Sequence, residues 1–555
     1  MKSNQNKNKK ISVLILLLLI FLSVFPGKSS SPLYPYTQIS LPSDYYIKTN
    51  YTNWFYYTVS GNHNRRIGLT IEPPFYVSSL LIKKTIRPNL YGEIEIKGEI
   101  LYHSTSSIKL NCWIYLFNNQ DAVLFMKAEN TSETKIPFSY KISYEDEQSD
   151  VWKSSEIFPL LYTSNALNSS TNQMKMEKSI SKTTLGEPYF FQTLRYDEPI
   201  HQIFKGPLFT FRNLSYGLQQ RVESICSSEV TSHQGRIILE NDILLEHKTL
   251  AEDWVFFSSN QLLAINSSVT QKVIQTLDFY KLKRFSRDGF FYKCLSDGYR
   301  GENDSTYYWD YSMYGARSIL EYYYRGDQTL FYNIAILSYL SLSRNRNPWG
   351  WWSNKTVSNW LWEDYQIFDH FFDTRFNVDA GIFLLEIYQN FNIPYALTMA
   401  EKTANILLVM MQNKKAYPTA NNGLLLQDYD VSFSSTIRTH SSLNHVLNEC
   451  SFFMLLFDVT GKKEYLEAGN QLIRGIMATE EQWKNKKTGD LFYCMHPDGS
   501  FGRKDYVTLT YHDLIRLRRI LKQVLNMENK SIERLGSYKE TFLLYLGLIK
   551  SKKFK

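Results

Sequence analysis

The chain lacks the signatures of several large chemistries. It has no GxxxxGK[ST] loop, no GxGxxG opening a helix, no HExxH, no CxxC and no GxSxG elbow. Phosphate-cradling loops, dinucleotide folds, zinc-protease helices, thiol redox pairs and hydrolase nucleophile elbows are thereby set aside. Cysteine is scarce: Cys112, Cys226, Cys294, Cys450 and Cys494 are scattered without metal-ligand spacing. That density excludes a disulfide framework and leaves room for one bridge. No dense Lys/Arg stripe exists beyond the N-terminus, so the net charge of +8 names no nucleic-acid partner. An anionic polysaccharide accounts for the charge equally well. Much of the excess sits at the two ends, in Lys2, Lys7, Lys9 and Lys10 and in Lys550, Lys552, Lys553 and Lys555.

Only one long apolar run is present. A basic segment ending at Lys10 precedes residues 11–25, and Pro26, Gly27 and a serine cluster follow. Residues 1–30 therefore read as a secretory signal peptide or an uncleaved signal anchor. The run is shorter than the ~20 residues of a membrane span, which favours cleavage. The lack of a well-formed small-x-small site favours the anchor. In both cases the positive flank stays in the cytoplasm and the rest of the chain is extracytoplasmic. Sequons at Asn50, Asn130, Asn168, Asn213, Asn266, Asn303, Asn354 and Asn529 would matter only in a host that glycosylates.

What the chain has in plenty is aromatic. Of 555 residues, 43% are hydrophobic and 15% aromatic, with 40 tyrosines and 11 tryptophans. This excludes disorder and suffices for two or three domains with large cores. Flat rings fill cores, and they also stack on the apolar faces of pyranoses. Residues 31–265 carry period-two patterning, clearest where Ile108, Leu110, Cys112, Ile114 and Leu116 alternate with polar or aromatic neighbours. Further runs fall at 122–125 and 236–245. This predicts an antiparallel β-sandwich or barrel. Near 270 the period becomes helical, and 266–550 reads as an α/α toroid-like domain of helical hairpins. Three similar segments, with turns near 326, 391 and 461, recur about every 65 to 70 residues. The loops between them gather polar and aromatic residues, including Trp351, Trp362, Glu363, Asp364 and Asp369, and a rigid scaffold would present such loops as a cleft.

With the signature motifs gone, acid/base chemistry by Tyr, His, Asp and Glu remains. Two tyrosine-bearing stretches stand out: Gly489-Asp490-Leu491-Phe492-Tyr493, and Arg503-Lys504-Asp505-Tyr506 with Thr508 two residues on. A phenol has an ordinary pKa near ~10, suited to removing and returning a proton at a weakly acidic carbon. Upstream, Gln427-Asp428-Tyr429 precedes Ser441-Ser442, Leu447-Asn448 and Leu456-Phe457-Asp458-Val459.

These ordered stretches, within a region of about 375–520 and about a quarter of the chain, resemble the C-terminal domain of D-glucuronyl C5-epimerases. That family inverts glucuronate to iduronate in heparan-type chains and pairs a β-rich region with a helical domain. The resemblance implies Tyr493 and Tyr506 as catalytic tyrosines with Tyr429 a third, and Arg503 as binder of the uronate carboxylate. Asp505, Thr508, Asn448, His512, Trp351 and Trp362 are expected substrate contacts. No cofactor and no metal are expected, and the resemblance implies a homodimer. The chain departs from the family at Val507 and Thr510, where the family has histidines; His512 or His440 would have to stand in.

The expectation is a uronyl C5-epimerase that lifts the C5 proton with one phenol and returns it with another from the opposite face. A cation stabilises the charge on the carboxylate and keeps one phenol partly ionised. Three other readings stay open: a polysaccharide lyase, a glycoside hydrolase using Glu363 or Asp364 with Asp490 or Asp505, and a non-catalytic glycan-binding surface protein.

Overall fold

The chain is described from a computed structural model. The described residues begin at 46 and run with gaps to 554; residues 1–45, 160–173 and 264–282 are among those outside it, and with them the apolar segment 11–25. Among the described residues no helix is long and apolar enough to cross a membrane. All five cysteines are free.

Among the described residues, the N-terminal half is built from two antiparallel sheets. One has seven strands and includes Arg65–Ile71, Ile136–Asp146 and Arg236–Leu245; the other is larger and includes Leu90–Tyr102, Ser106–Phe117, Ala122–Asn130 and Leu250–Ser258. Period two decides how they pack. In Ser106–Phe117, the residues Ile108, Leu110, Cys112, Ile114 and Leu116 join Leu69, Phe138, Tyr140 and Ile237 of the opposite sheet in one core. The intervening Trp113, Tyr115 and Phe117 point the other way, into a second core shared with the helices. Val123 and Phe125, and Trp254 and Phe256, repeat this division. The larger sheet is therefore apolar on both faces, because one meets a sheet and the other meets helices.

Strands continue past residue 265. Lys283–Ser286, Gly289–Cys294 and Thr306–Trp309 extend the larger sheet, and the first described helix after them starts at Tyr314. The change of period read near 270 lies outside the described residues. The strand Thr306–Trp309 is held by pairing to Gln219–Val222, a long-range partner that periodicity does not report.

The helical half contains α1 (Tyr314–Gly326), α2 (Thr329–Asn345), α3 (Asn359–Tyr365), α4 (Thr374–Phe391), α5 (Pro394–Gln412), α6 (Leu443–Thr460), α7 (Lys463–Ala478), the single turn α8 (Glu480–Trp483), α9 (Leu509–Leu525) and α10 (Lys530–Tyr545). Helices α1/α2, α4/α5, α6/α7 and α9/α10 pack as hairpins, and α4, α6 and α9 pack on one another in succession. The turns after α4 and α6 close through Asn392 (φ 50°) and Gly461 (φ 68°), both left-handed. Nearly every residue of the first half of α6 is buried, as expected for a helix surrounded by others.

One buried ion group ties α4, α6 and α9 together. Arg375 of α4 donates to Asp379 (3.0 Å), to Asp513 of α9 (2.5 and 3.1 Å) and to the carbonyl of Asn444 on α6 (2.9 Å). Removing the cation leaves two buried carboxylates short of a partner, which costs more than the pair itself contributes. Arg375→Met should lower unfolding free energy by about 3–5 kcal/mol in urea titration. A change under about 1 kcal/mol would mean that the group is energetically neutral here.

Candidate active site

The site is assembled from three short strand pairs laid across the ends of α4, α6 and α9. Phe372–Asp373 pairs with Tyr429–Asp430, Ser441–Ser442 pairs with Cys494 and Met495, and Asp490–Met495 pairs with Phe501–Lys504. Each pair fixes chemically useful side chains. Asp373 also caps α4, accepting the Phe376 N–H at 3.0 Å. Helix α3, capped by Ser358, brings Trp360, Trp362, Asp364 and Tyr365 to the same region.

Three of the tyrosines named from the sequence converge. The ring centroids of Tyr493 and Tyr506 lie 5.5 Å apart, edge to face. His440 lies 5.5 Å from Tyr493 and 5.7 Å from Tyr429. Trp360 packs on both Tyr429 (5.4 Å) and His440 (5.5 Å). Tyr429 and Tyr493 are buried, whereas Tyr506 is 51% exposed and forms the open edge. Arg503, three residues earlier in the chain and also exposed, has its guanidinium 5.6 Å from the Trp360 ring and paired to Asp364. Its backbone is left-handed (φ 63°).

The other named residues are distributed as follows. Asp505 lies beneath the cluster, accepting from Thr510 (2.7 Å) and from buried Lys539 (2.8 Å). Lys539 also donates to the Tyr506 carbonyl at 2.7 Å, so this pair sets the position of Tyr506. Thr508 is the residue before α9, and His512 is exposed one turn on, against Tyr511. Asn448 is buried between Asp379 (3.0 Å) and Arg516 (2.8 Å), in the Arg375 group. Trp351 is in the core, edge-on to Phe372 at 5.3 Å. Trp362 is 42% exposed and packs on Phe368. Sequons Asn130 and Asn354 are buried, with 1% and 2% of their surface exposed, and are not accessible as glycan acceptors in the folded chain.

Two features differ from the sequence picture. Rings in edge contact at 5.5 Å leave no pyranose-sized gap between Tyr493 and Tyr506. The phenols are also not ionised by a neighbouring cation. Burial, then the charges of Asp428 and Tyr506, push Tyr493 well above the usual phenol range. Burial does the same to Tyr429, and burial with the Asp373 and Asp428 charges raises Tyr506. Arg503 is engaged by Asp364, and the buried Arg375, which acts on Tyr506 in the opposite sense, is outweighed by burial and the carboxylates.

Beneath the phenols is a polar group that the sequence reading did not assemble. Asp428, fully buried, accepts from the Ser442 N–H (2.8 Å) and hydroxyl (2.5 Å) and lies 3.2 Å from His440 Nε2 and 3.7 Å from His445 Nε2. Burial opposes its ionisation, but the two histidines and Ser442 hold it below the usual carboxylate range. Burial lowers His445 to about 4. Its Nδ1 lies 2.8 Å from the Thr374 hydroxyl. Glu449, one turn along α6, is fully buried, and burial pushes its carboxyl well up. Burial likewise raises Asp373 to about 7. The one legible signal was the pair His440 and His445 shortly after Asp428; nothing local announced Tyr365 or Asp373. Among the described residues no group of three or more His, Cys, Asp or Glu side chains is arranged to hold a metal ion. A separate hollow of about 250 Å³, lined by Arg317, Leu320, Glu321, Glu386 and Asn390, contains no tyrosine.

No protein-family model matches the chain. No curated protein matches it. Among solved structures, the glycoside hydrolase family 76 mannosidase Bt3792 from Bacteroides thetaiotaomicron VPI-5482 aligns over 50% of this chain and 69% of its own, at 11% identity and TM-score 0.34. A D-mannose isomerase aligns over 41% and 59%, at 14% identity and TM-score 0.30. Cellobiose 2-epimerase from Bacillus thermoamylovorans B4167 aligns over 44% and 61%, at 12% identity and TM-score 0.33. Likeness at this level carries no argument about chemistry, which rests on the side chains above.

Asp373 gives the site a measurable pH signature. An unfolded aspartate titrates near ~3.9 and the folded one near 7, so folding favours the protonated form. Its contribution to stability is complete below ~3.9 and is lost as pH rises through 7, on the order of 4 kcal/mol in total. Asp373→Asn retains the cap and removes the titration. Relative to this variant, the wild type should lose stability between pH 5 and pH 8 in urea unfolding; a pH-independent difference would contradict the assignment.

Proposed function

We propose that the protein is a carbohydrate-active enzyme that inverts C5 of a uronate unit within a polysaccharide, D-glucuronate to L-iduronate or a related pair. The observation that carries this reading is the convergence of Tyr429, Tyr493 and Tyr506, through His440, beside an exposed Arg503. The proton at C5 is α to a carboxylate and only slightly acidic, and its removal puts charge on the carboxylate oxygens. Arg503, released from Asp364, pairs with those oxygens through two N–H groups. Trp360 and Trp362 offer faces for sugar stacking. The neutral phenol of Tyr506, at the open edge, returns a proton to the carbanion.

One observation also favours a lyase. Tyr493 and Tyr506 are in contact, so both reach a substrate from one side, which suits removal of the C5 proton and protonation of the departing C4 substituent on the same face. As part of the same proposal, the substrate is an anionic polymer met outside the cytoplasm, reached through the signal or anchor in residues 1–30, and the active form is a homodimer.

Incubation with glucuronate- or alginate-type polymers in heavy water separates these readings. Deuterium at C5 without chain cleavage is the expected result, with Tyr493→Phe and Tyr506→Phe each slowing exchange about 10²–10⁴-fold. An ultraviolet-absorbing 4,5-unsaturated uronate would show the lyase instead. The absence of both C5 label and unsaturated product on every uronate polymer would contradict both readings and leave a glycan binder.

A further inference from the structure

The phenols named so far are held neutral, which suits an acid and leaves the base unaccounted for. A fourth phenol is arranged differently. Tyr365, the last residue of α3, is half-buried beside Asp364 and Trp360. Its hydroxyl lies 2.9 Å from His440 Nδ1 and accepts the His440 backbone N–H at 3.2 Å. His440 Nε2 lies 3.2 Å from Asp428 Oδ2.

The hydrogen positions follow from these partners. Nε2 lies 3.2 Å from the Asp428 carboxylate without a hydrogen bond aligned to it, and that negative charge favours the tautomer with the imidazole proton on Nε2. Nδ1 is then the acceptor, and the Tyr365 O–H donates to it. The sequence Tyr365–His440–Asp428 is therefore a phenol hydrogen-bonded to a proton acceptor, with a carboxylate close enough to stabilise charge on that acceptor, a logic related to the Ser-His-Asp triad with a phenol in the first place. Asp428 itself is fixed by Ser442, and the His440 ring packs on Tyr365, Trp360, Tyr429 and Tyr493, so neither partner is free to turn away.

We propose that Tyr365 is the catalytic base of this site, working through His440 and Asp428. This rests on the C5-inversion reading above. As C5 approaches, Tyr365 passes its O–H proton to His440 Nδ1, and the imidazolium that forms faces the Asp428 carboxylate. The phenolate oxygen, still hydrogen-bonded to the His440 backbone N–H, takes the C5 proton. The C5–H bond breaks, an O–H bond forms on Tyr365, and the electron pair passes into the substrate carboxylate held by Arg503. Tyr506 then gives its O–H proton to C5. His440 releases one proton to water and Tyr506 regains one, which closes the cycle without any oxidant or cofactor. Burial raises the free Tyr365 phenol, opposed by the backbone N–H, so the phenolate exists only while His440 holds its proton.

The test compares wild type with Tyr365→Phe, which removes one half-buried oxygen, for C5 deuterium exchange in uronate polymers. Loss of about 10²–10⁴-fold in exchange with an unchanged melting temperature is expected. Wild-type exchange that Tyr365→Phe retains within about threefold would overturn Tyr365 as base while leaving the C5-inversion reading intact. No exchange by wild type would remove that reading, and the base with it. A second measurement needs no turnover: in the protein labelled with 15N-histidine, His440 should be protonated at Nε2, and Tyr365→Phe should shift the Nδ1 resonance. Protonation at Nδ1 instead would overturn the relay whatever the exchange rates.

Discussion

The site depends on one buried carboxylate. Asp428 has no exposed surface, and in that setting a charge persists only if its lone pairs are satisfied. They are satisfied by Ser442 through both N–H and hydroxyl, with His440 and His445 beside them. Meeting that requirement pins the strand Ser441–Ser442, and with it the strand carrying Tyr493 and the helix that begins at Leu443. Backbone pairing does the rest: Asp428 N–H donates to the His440 carbonyl at 2.9 Å, which holds Tyr429 and His440 side by side. Positions of the reactive groups are thus consequences of solvating an ion inside a protein.

Below this layer lies a second ion group, centred on Arg375, that joins the three inner helices. The two layers divide the work: Arg375 keeps α4, α6 and α9 in register, while Asp428 positions the strands that cross their ends. The abundance of carboxylates has a chemical price, because each negative charge makes ionisation of a nearby phenol harder. Tyr429, Tyr493 and Tyr506 are all raised for that reason as well as by burial. Three neutral phenols make good donors. A base requires a separate proton acceptor, and His440 contacts the Tyr365 hydroxyl through Nδ1 and lies 3.2 Å from the hub carboxylate through Nε2.

Much of the fold was legible because periodicity is local. Alternation at Ile108, Leu110, Cys112, Ile114 and Leu116 predicts a strand, and those residues line the sandwich core. The hairpin turns near 326, 391 and 461 coincide with Gly326, Asn392 and Gly461 at helix ends. What periodicity missed depended on distant pairing, as with the strand Thr306–Trp309. The same division holds at the site. Tyr493, Tyr506 and Arg503 share one strand pair and its following turn, so their proximity follows from short spacing. Tyr365 and His440 are 75 residues apart and meet only through tertiary structure. Trp351 shows the converse: a tryptophan in an aromatic loop reads as a sugar platform, yet 93% of its surface is covered because Phe372 and the core are beneath it.

The most direct measurement is a crystal structure with a bound uronate oligosaccharide. A uronate ring lying over the Tyr493–Tyr506 edge is required, with its carboxylate on Arg503 and C5 within about 3–3.5 Å of a phenolic oxygen. Sugar density elsewhere, for instance in the hollow lined by Arg317, Glu321, Glu386 and Asn390, with the phenols and Arg503–Asp364 undisturbed, would contradict the account.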